Sequence, residues 1–150
     1  MQESADLYRT FDAERVNRII NDPAVLPWVS LGTGSVDASL IVGNPNNFCV
    51  FDDTGGFVFV RKDDGVFDVH TQFLPEGRGR HALIAARAAA AYMFERPECV
   101  ALQTFCAHVN RAAIYLARKM GFVRFEEDRI LDSDGWFYRL TRDQWKQSCQ

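Results

Sequence analysis

The chain has 150 residues and a net charge of −3 at pH 7, and 47% of its residues are hydrophobic. This length and composition predict a single globular domain spanning residues 1–150 and exclude a disordered chain. The acidic balance argues against nucleic acid as a partner, because nucleic-acid-binding domains usually present a basic surface. No apolar run reaches the roughly 20 residues that cross a bilayer, and the start "MQESADLYRTF" is too polar for a signal peptide. We therefore expect a cytoplasmic protein with no membrane partner.

The first predicted helix begins after Asp12, which suits an N-cap, and ends near Asn21. Prolines and glycines interrupt residues 22–47, where "VDASLIV" fits one short helix capped by Asp37. Three runs rich in Val and Phe then occupy residues 47–74, and the turn sequences "DDTGG" and "KDDG" separate them. This pattern predicts an antiparallel meander.

A long helix from about residue 79 to residue 95 follows Pro75, and six of residues 85–91 are alanine. The run "CVALQTFCA" predicts a strand, and Asn110 can cap a second helix that ends at Gly121. "FVRFEEDRIL" and "GWFYRL" predict a closing hairpin. A helix between two strands of one sheet implies a crossover. We therefore expect an α/β (α+β) fold with a mixed, mostly antiparallel sheet flanked by helices.

Several residue types that often carry chemistry fit structural roles. The four cysteines are scattered, without a CxxC pair or a histidine at ligand spacing, so we expect no metal site and reduced thiols packed as small hydrophobic residues. Four aspartates fall in predicted turns and are interpreted as solvated. Two tryptophans either line a pocket or belong to the core. These residues are Asp52, Asp53, Asp63, Asp64, Trp28 and Trp136.

The stretch "LPEGRGRHALIAA" (74–86) joins a strand end to a helix start. A helix N-terminus offers unpaired N–H groups and the positive end of the helix dipole, and it binds phosphate groups readily. Arg78, Arg80 and His81 would each oppose that dipole by roughly 0.3–1 kcal/mol. A bound anion would offset this cost. The pattern therefore favours a phosphate site over a solvated first turn.

Two blocks of this chain, "FLPEGRGRHA" and "NRAAIYLARKMGF", resemble the GCN5-related N-acetyltransferase (GNAT) superfamily. The resemblance covers residues 67–125 well, residues 48–66 by strand pattern only, and residues 1–47 hardly at all. The first block looks most like GNAT proteins encoded by phages and prophages. The residues that match the two family patterns are Phe73, Pro75, Glu76, Arg78, Gly79, Asn110, Ala113, Gly121 and Phe122.

The resemblance implies a GNAT fold and an acyl-coenzyme A-dependent N-acyltransferase. Such an enzyme would pass the acetyl group of acetyl-coenzyme A to a primary amine by direct attack. The acceptor, a small molecule or a protein N-terminus or lysine, stays open, and a homodimer is one alternative for the oligomeric state. The residues that the resemblance assigns to coenzyme A are Phe73, Leu74, Arg78, Gly79, Arg80, His81, Ala82, Leu83 and Asn110.

The catalytic residues are less well defined by the resemblance. His70, on the strand that ends at the acyl site, is the first candidate base and His108 the second, although either histidine also fits a structural role. The general-acid tyrosine of the family would fall at Ala117, and Tyr115 lies about 200° around the helix from that position.

The cofactor pattern also departs from the family, because His81 and Leu83 stand where the family has small residues. Together with Ala117, these departures keep a second interpretation open. It is a non-catalytic GNAT-fold binding or structural protein, for example a phage virion or host-interaction module.

Overall fold

A computed structural model describes residues 6–29, 34–130 and 132–148. In these residues seven strands form one sheet in the order β1-β2-β3-β4-β5-β7-β6. Only the pair β4–β5 is parallel among its neighbouring pairs, so the predicted mixed, mostly antiparallel sheet is confirmed. The strands are β1 (Tyr8–Arg9), β2 (Phe48–Phe51), β3 (Gly55–Arg61), β4 (Val66–Phe73), β5 (Ala101–Ala107), β6 (Val123–Ile130) and β7 (Ser133–Thr141).

Helices flank the sheet on both faces. The helices are α1 (Ala13–Ile20), α2 (Leu26–Val29), α3 (Ser39–Gly43), α4 (Arg80–Phe94), α5 (Arg111–Met120) and α6 (Arg142–Ser148). The alanines of α4 pack with the phenylalanines of β2, β3 and β4 on one face, which we call the α4 side. On the opposite face, the α1 side, α1 and α3 pack against β2 and β3. No helix of the described chain is both long and apolar enough to cross a membrane.

The predicted helix caps at Asp12 and Asn110 are confirmed by direct contacts. Asp12 Oδ1 accepts the N–H of Glu14 at 3.1 Å, and Asn110 Oδ1 accepts the N–H of Ala113 at 3.2 Å. Gly121 ends α5 with φ of 93°, a left-handed conformation that favours glycine. The short helix predicted around "VDASLIV" is also present, but the prediction of Asp37 as its cap is wrong: the helix begins at Ser39 and its N-cap residue is Ala38. Asp37 instead accepts hydrogen bonds from the N–H and hydroxyl of Ser39.

Three elements were not predicted: β1, α2 and α6. Strand β1 is too short for a periodic signal. Helix α2 contains Pro27, and a proline in a short segment argues against predicting a helix there. Helix α6 did carry a signal. The N–H of Gln144 donates to Thr141 Oγ1, while the N–H of Thr141 donates to the Gln144 side chain. This reciprocal capping box is readable as Thr-x-x-Gln in the sequence.

The parallel strands β4 and β5 separate after a short pairing. Their described register runs from Val66–Ala101 to Asp68–Gln103. One residue later, the hydroxyl of Thr104 donates to the Val69 carbonyl at 3.1 Å. Beyond that contact His70 and Thr71, whose side chains point to opposite faces, are both exposed. The sheet is therefore open between β4 and β5 at this point.

Candidate functional site

A cleft of about 610 Å³ lies where β4 and β5 separate. This volume falls within the roughly 300–1,000 Å³ of typical ligand pockets. The start of α4 and the first half of α5 form its walls on the α4 side, and Trp28 of α2 lines it from the α1 side. Because both faces contribute, the cleft passes through the opening in the sheet.

The first turn of α4 borders this cleft without a cap. Gly79 precedes the helix with φ of 73° and ψ of −130°, no side chain caps the helix, and the first turn carries no acidic residue. Leu83 donates to the Gly79 carbonyl at 3.2 Å, so the N–H groups of His81 and Ala82 precede the first intrahelical bond. A side chain at position 79 would meet no atom within 4 Å. This open, uncapped terminus fits a phosphate or pyrophosphate group.

The turn before α4 is fixed by close packing. Gly77 ends a 3-10 turn, and a Cβ atom there would lie 2.3 Å from Thr54 Oγ1. Leu74 donates its N–H to the Thr54 carbonyl at 2.8 Å. The loop that leads into α4 therefore rests directly on the turn between β2 and β3.

The interpretation of Asp52 as a solvated turn residue is wrong. Asp52 is only 7% exposed, and its Oδ2 lies 2.6 Å from Nε2 of His81. Its Oδ1 accepts the N–H of Thr54 at 2.8 Å and the N–H of Gly55 at 3.1 Å. The carboxylate thus closes the turn between β2 and β3 and also holds the first turn of α4.

The charge of Asp52 is favoured by these contacts. Burial alone would raise the pKa of the Asp52 carboxyl, because it removes the charged form from water. The N–H and hydroxyl of Thr54, together with the hydrogen bond and charge of His81, outweigh burial and lower this pKa. Asp52 is therefore an anion at neutral pH.

His81 and Leu83, which stand where the family has small residues, do not fill the space in front of Gly79. The imidazole of His81 contacts Asp52 and packs edge-on against Phe73 at 6.1 Å between ring centroids. Leu83 forms part of the cleft wall and packs against the main core. Gly79, Ala82 and Leu83 of this turn line the cleft.

Arg78 ties the end of β4 to the segment after α1. Its Nε donates to the Phe73 carbonyl at 3.1 Å, and its guanidinium also donates to the Ala24 carbonyl at 2.6 Å. Arg80 is exposed on the first turn of α4, and Ala82 lines the cleft. The assignment of these residues to a cofactor stays a prediction.

His70 lies on the α1 side of β4, beside Thr71, but it is not among the residues that line the cleft. Loss of water around the imidazole lowers the pKa of His70; the charge of Asp68 raises it, and the charge of Lys62 lowers it further. Asp68 pairs with Gln103 on β5, so Phe105 is level with His70 across the gap. A neutral imidazole at this place can accept a proton.

His108 lies apart from His70. It follows the end of β5, about 10 Å further along the strand than Phe105 at roughly 3.3 Å per residue. Its Nε2 is 3.8 Å from the Glu127 carboxylate, and its side chain is exposed. The structure therefore does not bring the two candidate bases together. Asn110, which caps α5, also lines the cleft.

The position of the expected general acid is occupied by the buried Ala117, which packs against Cys106 and Tyr138. Tyr115 is 59% exposed and lies at the cleft wall. Burial raises the pKa of the Cys106 thiol to about 12, so this thiol stays protonated and is not a nucleophile.

Other expected features can now be located. Burial also raises the pKa of Cys49 and of Cys99 to about 11, whereas Cys149 lies outside the described residues. In the described ranges no group of three potential ligand side chains could hold a metal ion. Trp28 is 51% exposed and lines the cleft, and Trp136 packs beside the cluster around Cys106.

Comparison with solved structures identifies the architecture. A GNAT-family acetyltransferase from Bacillus anthracis matches with a TM-score of 0.72 at 19% identity, over 94% of this chain and 98% of that one. The fold is that of the GNAT acetyltransferases. Aminoglycoside acetyltransferase AAC(6')-Ib, solved with ribostamycin and coenzyme A, matches with a TM-score of 0.78 at 16% identity, over 99% of both chains.

A third structure with this fold is the spermidine N-acetyltransferase from Vibrio cholerae, solved with coenzyme A and spermine. It matches with a TM-score of 0.74 at 14% identity, over 93% of this chain and 96% of that one. A scan against family models gives no match, and a search of the curated proteins gives none either.

Proposed function

We propose that this GNAT-fold chain is an acyl-coenzyme A-dependent N-acyltransferase that transfers an acyl group directly to a small-molecule amine. The observation that carries this proposal is the uncapped N-terminus of α4 beside the cleft through the sheet. Structures with the same fold contain coenzyme A together with ribostamycin or spermine. A cytoplasmic location, a homodimer, a protein acceptor and a phage origin stay predictions.

The pyrophosphate would lie on the first turn of α4. The N–H groups of Gly79, His81 and Ala82 would bind it, with the helix dipole favouring its charge. The glycine matters here because its left-handed φ turns the backbone into the helix, and side chains rarely adopt that conformation.

The pantetheine arm would follow β4 through the opening. The Val69 carbonyl faces β5, since Thr104 donates to it. Residues two apart on a strand present their backbone groups to the same side, so the backbone groups of Thr71 and Phe73 face the gap that β5 leaves. An extended arm with amide groups would pair with the Thr71 backbone and the Phe73 N–H, since the Phe73 carbonyl already accepts from Arg78 Nε.

The transfer itself requires an amine without its proton. The amine nitrogen attacks the thioester carbonyl, the carbon–nitrogen bond forms, and the carbon–sulfur bond breaks. We assign acceptance of the amine proton to His70, whose lowered pKa keeps the imidazole neutral near pH 7. The thiolate leaves into an open cleft and takes its proton from water. Because the Cys106 thiol stays protonated, no acyl-cysteine intermediate is assigned to it.

Isothermal titration with coenzyme A and acetyl-coenzyme A tests the proposal directly. We expect binding at micromolar concentration, and we expect release of coenzyme A when acetyl-coenzyme A is mixed with spermine or ribostamycin. Gly79→Ala should weaken coenzyme A binding at least tenfold, because it disturbs the backbone at the phosphate site.

Gly43→Ala is the matched control, since Gly43 has ordinary backbone angles and open space around it on the far side of the sheet. Absence of binding at millimolar concentration would refute the enzyme assignment. Equal affinity of both alanine variants and the unmodified chain would place the cofactor elsewhere.

A further inference from the structure

A small apolar cavity lies next to the cleft on the α4 side of the protein. Its volume is about 50 Å³, and it lies between β4, β5, α4 and α5. Thr71, Ala113 and Leu116 line both the cleft and the cavity. The two spaces therefore adjoin at the point where β4 leaves β5.

The cavity exists because small side chains face it from both helices. Ala86, Ala89 and Ala90 contribute from α4, and Ala113 and Ala117 contribute from α5. Protein interiors are normally close-packed, and unfilled apolar space loses dispersion contacts. A space that reaches the candidate reaction centre is thus better explained by a ligand that enters it.

The lining suits an aliphatic occupant. Among its lining residues, polar side chains come from Thr71, Thr104 and Cys106. The Thr104 hydroxyl already donates to the Val69 carbonyl, and the Cys106 thiol is protonated. Water or a charged group would find few partners here, whereas methylene groups would gain contacts.

We propose that this cavity binds the acyl chain of the donor, so that the protein prefers short aliphatic acyl groups of about three to five carbons over acetyl. The inference rests on the proposed function, because the acyl chain arrives only when coenzyme A occupies the cleft. If the pantetheine arm runs along Thr71, its thioester would lie where the cleft meets the cavity, because Thr71 lines both spaces. At roughly 10–15 Å³ for each water-sized group, the cavity has space for about four such groups, and a methylene is of similar size.

Titration of the intact chain with coenzyme A and with its acetyl, propionyl, butyryl, hexanoyl and octanoyl thioesters tests this proposal without any acceptor. Each methylene that enters the cavity should lower Kd about fourfold. We expect the gain to end by the hexanoyl thioester, when the cavity is full. Affinities that are equal for all thioesters, or that fall from acetyl onward, would overturn the inference while leaving the proposed function intact. If coenzyme A itself fails to bind, both are overturned.

Ala117→Leu should fill the cavity and bring the ratio of the acetyl to the butyryl Kd close to one. Ala88→Leu is the matched control, since Ala88 lies on the partly exposed side of α4 and lines neither space. A butyryl preference that survives Ala117→Leu would overturn the assignment of the cavity. If a melting curve shows that Ala117→Leu is poorly folded, the smaller Ala90→Val replaces it, and the donor series on the unmodified chain stands by itself.

Discussion

The two sides of the cleft are held in place to different degrees. On the donor side, meaning the residues around the start of α4, Asp52 fixes His81, Thr54 packs against Gly77, and Arg78 binds two backbone carbonyls. On the acceptor side we group Trp28, which lines the cleft from the α1 side, with His70, which lies beside the opening but outside the cleft lining; both residues are exposed. Preorganisation is therefore concentrated where phosphates would bind.

This difference has a physical reason. A phosphate site built from backbone N–H groups works only if the helix start is held in one geometry, because the donors cannot move separately. Exposed side chains on the acceptor side can adjust to an amine, at the cost of ordering them on binding. The comparison predicts that donor-side changes alter affinity for coenzyme A and that acceptor-side changes alter turnover.

The largest effect is expected from His70→Gln on the acceptor side. Loss of a general base typically costs 10²–10⁴ in rate, and we expect kcat to fall about 100-fold with the Kd of coenzyme A unchanged. Because the pKa of His70 is lowered, the unmodified enzyme should lose activity only as pH falls through a value below the ordinary 6.5 of histidine. The variant should lack this acid limb in its pH–rate profile.

His108→Gln provides the matched comparison, because His108 is the other candidate base and its imidazole lies 3.8 Å from the exposed Glu127 carboxylate. We expect its kcat to change less than threefold. If His108→Gln abolishes turnover and His70→Gln does not, the roles of the two histidines are reversed. If neither changes kcat, water removes the amine proton and the acceptor side carries no base.

A smaller effect is expected on the donor side from the Asp52–His81 pair. A double-mutant cycle of Asp52→Asn and His81→Gln, measured by denaturant unfolding, should give a coupling of about 1 kcal/mol. The folded-state pKa of Asp52 lies below its unfolded value near 3.8, so its stabilisation is present above that pH and is lost as pH falls through the folded pKa. The coupling should therefore disappear in acid. Both single variants should also weaken coenzyme A binding.

The neighbouring pair of Arg15 and Asp53 serves as the control. Its atoms lie 2.9 Å apart, but the Asp53 side chain is 97% exposed. Exposed ion pairs contribute little, and we expect a coupling below about 0.5 kcal/mol at any pH. Equal coupling energies in the two cycles would show that burial does not strengthen the interaction between Asp52 and His81. The contrast between the donor side and the acceptor side would then lose its support.

Local rules were sufficient to predict most of the fold. The turn sequences after residues 51 and 61 predicted the antiparallel meander, and a helix between β4 and β5 predicted the crossover. Asp12, Asn110 and Gly121 predicted helix ends through contacts within a few residues. Each of these signals lies close in sequence to the structure that it specifies.

The features that define the site depend on contacts between distant residues. Asp52 resembles a solvated turn residue in "DDTGG", but its carboxylate contacts His81 at the start of α4, 29 residues later in the chain. Trp28 becomes a cleft residue because α2 lies beside the opening between β4 and β5. The cavity next to Ala117 needs small side chains on two helices at once. Periodicity and turn chemistry carry no information about such combinations.

The smallest effect is expected from Trp28→Ala, which tests whether the acceptor side recognises the amine. An exposed aromatic ring attracts a cation by about 0.5–1 kcal/mol, so the KM of a polyamine such as spermine should rise about two- to fivefold. The Kd of coenzyme A should not change. Phe11→Ala is the control, because Phe11 is 66% exposed and does not line the cleft. A rise in the Kd of coenzyme A for Trp28→Ala alone would place this side chain against the donor. The acceptor would then have to be bound without this side chain, and α2 would belong to the donor side of the cleft.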